Sequence, residues 1–204
     1  MKRPDYTNQI RKRIEATNAG TVFVTADFTD IAEKKTVNMA LLRLAEEGIL
    51  KKAMFGVYFK TGVYKLVNKP VEPSAIDIAQ AIARNFGWRI VPCGETALHA
   101  LGLSDDLSSE WGYVTDGEYK KYTYKDKVIK FKKVSTKEIS RVSYATALYI
   151  QAIKALGKDN ITEQTIAHLK KFLNENQKAR MLEEAKPVTS WVYEAIRKIC
   201  IENR

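Results

Sequence analysis

Residues 34–60 read KKTVNMALLRLAEEGILKKAMFGVYFK, and this stretch decides the fold that we predict for the N-terminal part of the chain. Apolar side chains recur at helical spacing from Val37 to Leu44, and Gly48 supplies a C-terminal stop, so we predict a helix from Lys34 to Glu47. The next twelve residues, 49–60, alternate apolar and polar side chains around a tight connection, which predicts two short strands in a β-hairpin.

Two shorter helices are predicted before this stretch. One covers Tyr6–Ala16 and ends in the turn-forming residues 18–20, and a brief one begins at Thr25 and runs to about Ile31. The apolar run Val22–Val24 lies between them. Helix, short helix, longer helix and hairpin is the element order of a winged helix-turn-helix, and we assign residues 1–69 to such a domain.

Residues 70–204 predict a second domain of the α+β class. After an irregular connector over residues 61–73, a helix capped by Ser74 runs to about Phe86. Short strand-like segments then predict a small antiparallel sheet, and the C-terminal half is helical. The helices of that half are expected near residues 141–156, 162–174, 176–185 and 189–201.

The charge of the chain favours a polyanionic partner. The net charge is +10, and residues 1–69 carry 13 basic against 7 acidic side chains, a net of +6. No apolar run reaches the roughly 20 residues that a membrane-spanning helix needs, and the charged N-terminus lacks the apolar core of a signal peptide. Cys93 and Cys200 lie far apart and are typical of reduced thiols, so we expect a cytoplasmic protein without membrane contact.

The helix that begins at Lys34 carries the side chains that we expect to contact DNA. A recognition helix enters the major groove, where Lys donates to guanine, Asn pairs with adenine and Met contacts the thymine methyl group. Arg43, one turn further on, is better placed for phosphate, as are the lysines of the hairpin. The predicted DNA-binding residues are Lys34, Lys35, Thr36, Asn38, Met39, Arg43, Lys51, Lys52 and Lys60. The alternative is a winged module with solvated charges that contacts protein instead.

A second group of lysines alternates with aromatic residues in the strand-like segments of the second domain. Its members are Lys120, Lys121, Lys127, Lys130 and Lys132. Period two places Lys130 and Lys132 on one face of a strand and Ile129 and Phe131 on the other. These lysines are either a second nucleic-acid surface or a protection of the sheet edge against aggregation.

No combination of residues predicts an active site, so we expect neither an enzyme nor a cofactor or metal site. His99 and His168 are single histidines without metal-ligand spacing, and Cys93 has no partner that would make it a nucleophile. Asp105 and Asp116 would serve as metal ligands in a nuclease-related protein, but Asp is common in loops because it stabilises turns.

The chain resembles the AbiEi-type antitoxins of bacterial type IV (abortive infection) toxin–antitoxin systems. The resemblance rests on Val22–Phe28, Ala40–Leu50 and Gly56–Tyr58 in the first domain, and these are common to many winged repressors. In the second domain it rests on the more distinctive segments Pro92–Ser104 and Tyr113–Gly117.

The resemblance implies a DNA-binding autorepressor that is also an antitoxin. In such proteins the winged domain binds operator inverted repeats, and Lys34, Lys35, Asn38 and Arg43 hold the corresponding positions here. The second domain counteracts a nucleotidyltransferase-like toxin without a necessarily stable complex. A different reading is a winged-helix transcription regulator whose second domain senses a ligand or a protein partner.

Overall fold

The computed structural model describes residues 5–64, 68–105, 109–135 and 139–201 of a mixed α+β protein. The chain divides into two compact units, the first extending to Trp88 and the second beginning at Arg89. The predicted α+β class is confirmed. The domain boundary that we predicted after residue 69 lies too early, because the next helix packs on the first unit.

In the described part of the first unit, three α-helices combine with two small sheets. Its elements are α1 (Tyr6–Glu15), β1 (Val22–Val24), a 3-10 helix (Thr25–Phe28), α2 (Lys34–Glu46), β2 (Leu50–Met54), β3 (Val57–Lys60), β4 (Val63–Tyr64), β5 (Lys69–Pro70) and α3 (Ala75–Phe86). Strands β4 and β5 pair as a hairpin in the segment that we predicted to be an irregular connector. The brief second helix is shorter than predicted, and its first turn is held by the Asp27 carboxylate, which accepts a 2.9 Å hydrogen bond from the Val24 amide.

Strand β3 lies in the centre of a three-stranded antiparallel sheet, in the order β1-β3-β2. It takes the central position because Val57, Tyr58 and Phe59 are all buried, so both of its faces are covered. Strand β2 is an edge, and its register against β3 shifts between Lys52 and Met54. A bulge of this kind increases the local twist of a hairpin.

Helix α2 is fixed by one apolar face. Four inward side chains pack into a core with Ile10 and Ile14 of α1 and with Phe28 of the 3-10 helix. The four are Val37, Ala40, Leu41 and Leu44, as their spacing predicts. Burial of a Leu side chain contributes about 2 kcal/mol, so this face determines which residues of α2 remain outward.

Helix α3 belongs to the first unit because Arg84 ties it to β1 and the 3-10 helix. The Arg84 guanidinium donates to both carboxylate oxygens of Asp27 at 3.0 and 3.3 Å and to the carbonyl oxygen of Val22 at 3.1 Å. The start of α3 follows the prediction, since the Ser74 hydroxyl accepts from the Asp77 amide and the Asp77 carboxylate accepts from the Ser74 amide.

The second unit combines a four-stranded sheet with a group of helices, most of which follow the sheet in the sequence. Its elements are β6 (Ile90–Pro92), α4 (Glu95–Ala100), β7 (Glu110–Thr115), β8 (Lys120–Tyr124), β9 (Lys127–Lys133), α5 (Tyr144–Leu156), a 3-10 helix (Lys158–Asn160), α6 (Glu163–Lys170), α7 (Glu175–Glu184) and α8 (Ser190–Cys200). The strands run in the order β6-β7-β9-β8.

This sheet departs from the antiparallel arrangement that we predicted. The outer pairs β6–β7 and β8–β9 are antiparallel, but β7 and β9 are parallel. Strand β9 takes the inner position because Ile129 and Phe131 are buried, whereas the lysine-rich β8 lies at the edge. The chain reverses direction twice between β7 and β9, so their direct pairing is parallel.

Helix α5 is the central helix of the C-terminal half, with eight consecutive buried residues from Thr146 to Ile153. A helix that is covered on all sides lies inside the core, and α4, α7 and α8 pack around it. The four C-terminal helices predicted from the sequence are confirmed, with ends shifted by a few residues. Among the described residues, no helix is both long and apolar enough to cross a membrane.

Glu184, at the end of α7, caps the start of α5. Its carboxylate accepts hydrogen bonds from the Ser143 amide at 2.9 Å, the Ser143 hydroxyl at 2.7 Å and the Thr146 hydroxyl at 2.6 Å. Arg180 Nε adds a further bond at 2.6 Å. Burial raises the pKa of Glu184, but the hydrogen bonds from Thr146, Ser143 and Arg180 outweigh it and lower the pKa to about 2. This carboxylate therefore holds two helices of the second unit together.

Candidate nucleic-acid interface

The outward face of α2 displays the side chains that we predicted to contact DNA. Lys34, Lys35, Asn38, Met39 and Arg43 are exposed, and Thr36 is half-buried. Met39 is 49 % exposed, and Leu42 on the same face is 43 % exposed. The face therefore combines three cations and an amide with two apolar side chains, groups that contact phosphates, base edges and thymine methyl groups, and it ends in the carboxylate of Glu46.

The 3-10 helix holds Asn38 in one orientation. The Thr25 hydroxyl donates a hydrogen bond to Oδ1 of Asn38. Among the described residues, the Nδ2 group of Asn38 has no hydrogen-bond partner, so its two donors remain available. An amide fixed in this way loses less entropy when it pairs with an adenine edge. We had predicted Thr25 only as a helix cap, and its side chain makes no capping bond.

The β2–β3 hairpin beside α2 presents Lys51, Lys52 and an aromatic tip. Both lysines are exposed, and Lys51 Nζ lies 4.0 Å from a carboxylate oxygen of Glu72, a distance at which an exposed pair contributes little. Phe55 is 93 % exposed at the turn, and Lys52 Nζ lies 5.5 Å from its ring centroid. Phe55 is not among the DNA-binding residues predicted from the sequence. Its position directly before Gly56 in a tight turn nevertheless indicates that its side chain lies outside the core.

Lys60 does not belong to this interface. Its ammonium donates hydrogen bonds of 2.7 and 2.6 Å to the carbonyl oxygens of Glu15 and Thr17, at and just beyond the end of α1. A lysine in this position satisfies carbonyls that the helix leaves without a partner and interacts favourably with the helix dipole. Our prediction of Lys60 as a phosphate contact is therefore corrected to a structural role.

Three acidic residues of the first unit are paired with arginines, whereas Glu33 and Glu46 at the two ends of α2 are exposed. The pairs are Arg11 with Glu47, Arg13 with Asp30, and Arg84 with Asp27. The hydrogen bond from Arg13 lowers the pKa of Asp30. Within the described part of the chain, Lys34, Lys35 and Arg43 form no ion pair. These three cations therefore remain available to an external partner.

The lysines of β8 and β9 divide between the two faces of the sheet. Lys121 lies directly opposite Lys130 in the strand register, and Lys132 shares their face. Lys120 lies opposite the buried Phe131, and Lys127 opposite Tyr124, on the other face. The five residues that we grouped as one surface therefore do not form one, and only Lys121, Lys130 and Lys132 do. Lys130 also pairs with Glu110 at 3.3 Å.

Asp105 and Asp116, which were considered as metal ligands of a nuclease, do not belong to a cluster of possible ligands among the described residues. Asp116 Oδ1 accepts a 2.8 Å hydrogen bond from the Arg89 amide, and its Oδ2 accepts from the Ser140 hydroxyl at 3.3 Å, so it holds the sheet to the segment before α5. Asp105 is exposed. Within the described ranges, no three His, Cys, Asp or Glu residues come together in a way that would hold a metal ion.

Cys93, which was considered as a nucleophile, lies in a packed environment, as do Cys200 and the two histidines. Cys93 and Cys200 are buried, and burial raises the pKa of both thiols, to about 11 for Cys200. A raised pKa disfavours the thiolate that a nucleophile requires. His168 Nε2 lies 2.8 Å from the carbonyl oxygen of Leu101, and the ring of His99 contacts the edge of Trp111.

Comparison with known proteins identifies a family. No curated protein matches the sequence significantly. Residues 9–181, which include the whole of α2, the hairpin and the sheet of the second unit, match the model of a family of unknown function, DUF6088. The match covers most of the chain, and the protein therefore belongs to the DUF6088 family.

Proposed function

We propose that the first unit is a winged helix-turn-helix and that the protein is a transcriptional repressor that binds double-stranded DNA. The observation that carries this proposal is the outward face of α2, on which exposed Lys34, Lys35 and Arg43 have no acidic partner in the described part of the chain. The order of elements and the sheet order β1-β3-β2 agree with a domain that places its third helix in the major groove.

Each residue of α2 then has a distinct role. Lys35 and Asn38 lie near the helix N-terminus, the part of a recognition helix that meets base edges. Arg43 lies on the third turn and contacts phosphate, which positions the helix without reading sequence. Met39 and Leu42 supply apolar surface against thymine methyl groups.

The hairpin serves as the wing. Lys51 and Lys52 contact the phosphate backbone, and Phe55 at the tip supplies the apolar group that a minor groove or a base step accommodates. The exposed ring of Phe55 lies beside the Lys52 ammonium, so the tip presents an apolar and a cationic group together to a partner.

The test is a comparison of two double variants in binding to the DNA upstream of the protein's own gene. Lys35→Ala with Asn38→Ala removes one base-reading cation and the oriented amide, so we expect a loss of at least about a hundredfold in affinity. Asn8→Ala with Lys12→Ala makes the same chemical change on exposed positions of α1 and serves as the matched control. Equal affinity of the two variants would contradict the assignment of α2.

A further part of the proposal concerns the second unit. We propose that the repressor is also the antitoxin of a cytoplasmic type IV system, binding operator inverted repeats and counteracting a nucleotidyltransferase-like toxin without a stable complex. The support is the resemblance of Pro92–Ser104 and Tyr113–Gly117 to AbiEi-type antitoxins. These segments are neighbours in the second unit, where Pro92 of β6 pairs with Tyr113 of β7.

A growth assay tests this part independently of DNA binding. We expect expression of the protein to restore growth of cells that produce the nucleotidyltransferase-like toxin encoded beside it. The Lys35→Ala, Asn38→Ala variant should rescue equally well, since the rescue resides in the second unit. Failure of both proteins to rescue would contradict the antitoxin role and leave the repressor role standing.

A further inference from the structure

A cleft of about 680 Å³ lies in the second unit between α5, the end of α7 and the loop that leads to α8. The loop cannot continue α7 because Pro187 interrupts it, and α8 begins only at Ser190. The walls include apolar side chains of Val142, Ile150 and Val188. This volume lies within the range of about 300–1,000 Å³ that small-molecule sites occupy.

Gln151 is the feature of this cleft that packing does not explain. It lines the cleft from the middle of α5 and is only 9 % exposed. Among the described residues, its amide has no hydrogen-bond partner. The amide keeps contact with the water of the cleft and is not sealed in the core, whereas Leu at this position would bury more apolar surface. The amide is therefore placed for a partner that enters the cleft.

The charges around the cleft favour an anion with a single charge. Arg141 at the rim is exposed and forms no ion pair or hydrogen bond within the described ranges. The two lining carboxylates are already compensated, Glu183 by Lys186 and Glu184 by Arg180 and the start of α5. With Lys154, the lining holds two basic and two acidic residues. The two acidic residues repel a doubly charged phosphate more strongly than a singly charged carboxylate.

We propose that this cleft binds a small organic carboxylate with an apolar body. The carboxylate pairs with the Arg141 guanidinium, which matches the geometry of a carboxylate with two parallel donors. The apolar body lies against Ile150, Val142 and Val188, and a polar group of the ligand satisfies the Gln151 amide. The site lies wholly in the second unit and does not depend on the DNA-binding role of the first.

The test uses phenylacetate and hexanoate as probes, with phenylacetamide as the neutral counterpart. Methyl-region NMR spectra of the full chain are recorded during titration to millimolar concentrations. We expect saturable shifts of the Ile150, Val142 and Val188 methyl signals with at least one of the two carboxylates. If phenylacetate is that carboxylate, phenylacetamide should bind at least about tenfold more weakly, because it lacks the negative charge. The absence of saturable shifts with both carboxylates overturns the proposal.

Variants of residues that line the cleft distinguish binding in the cleft from unspecific binding elsewhere on the protein. Arg141→Gln should weaken the binding of phenylacetate or hexanoate at least about tenfold. Gln151→Leu keeps the volume of the side chain and should not weaken it, because neither probe carries the second polar group that the Gln151 amide would bind. Arg197→Gln, an exposed arginine of α8 outside the cleft, is the matched control and should bind like the unaltered protein. If Arg141→Gln binds the carboxylate as tightly as Arg197→Gln, the proposal is wrong. Arg141 is exposed, so this comparison remains decisive even if Gln151→Leu fails to fold.

Discussion

Replacement of Glu184 by Gln tests the carboxylate that joins the end of α7 to the start of α5. The carboxylate is 15 % exposed and accepts four hydrogen bonds, three of them from the start of α5. The fall of its pKa from 4.5 to about 2 corresponds to about 3 kcal/mol of stabilisation, at about 1.4 kcal/mol for each tenfold change in proton affinity. Glutamine keeps one oxygen acceptor, so we expect Glu184→Gln to lower the free energy of unfolding by about 2 kcal/mol.

The assay is urea unfolding followed by the fluorescence of tryptophan, with Glu183→Gln as the matched control. Glu183 is 71 % exposed and pairs with Lys186 at the surface, so its replacement should cost less than about 0.5 kcal/mol. The effect also depends on pH. Because the folded protein lowers the pKa of Glu184, its contribution is complete above the ordinary value of 4.5 and is lost as the pH falls toward 2.

The difference between the Glu184→Gln variant and the unaltered protein should therefore shrink as the pH is lowered through this range. Equal stability of the Glu184→Gln and Glu183→Gln variants near neutral pH would refute the capping role. A difference that stays constant down to about pH 3 would refute the protonation argument.

Four further predictions concern the interface and the core. Phe55→Ala should reduce DNA affinity about tenfold and leave the unfolding free energy within about 0.5 kcal/mol, and unchanged affinity would remove the wing tip from the interface. Lys60→Met should lower the unfolding free energy by about 1 kcal/mol and leave the salt dependence of DNA binding unaltered, whereas a reduced dependence would return it to the interface. Leu41→Ala should destabilise the first unit by about 2–5 kcal/mol in urea unfolding, and a loss below about 1 kcal/mol would mean that the core is misassigned. Lys121→Ala with Lys132→Ala should lower the log–log salt slope of DNA binding by about two, and an unchanged slope would leave these lysines as protection of the sheet edge.

Local sequence patterns were sufficient to predict the helices and strands that have one apolar face. Helix α2 is predicted almost to its ends because its four inward residues recur at helical spacing and Gly48 stops it. The outward positions of Lys35 and Asn38 follow from the same period, so the main candidate interface could be identified without coordinates. The alternation of Lys130 and Lys132 with Ile129 and Phe131 is confirmed for the same reason.

Features that depend on contacts between residues distant in the sequence could not be predicted from local patterns. The role of Lys60 depends on carbonyls 43 and 45 residues earlier in the chain. The membership of α3 in the first unit depends on the pairing of Arg84 with Asp27, 57 residues apart. The parallel pairing of β7 and β9 depends on which strand takes the inner position. Gln151 falls within an apolar helix, and only the surrounding helices reveal that it faces a cleft.

The central claim is that the first unit reads DNA, and equilibrium binding across a salt series tests it most directly. The full chain is titrated with the DNA upstream of its own gene and with a scrambled duplex of the same length. We predict binding to the upstream DNA at least about a thousandfold tighter, with a log–log salt slope that reports several phosphate contacts. Weak binding that treats both duplexes alike would contradict the claim and leave the first unit as a module for contact with protein.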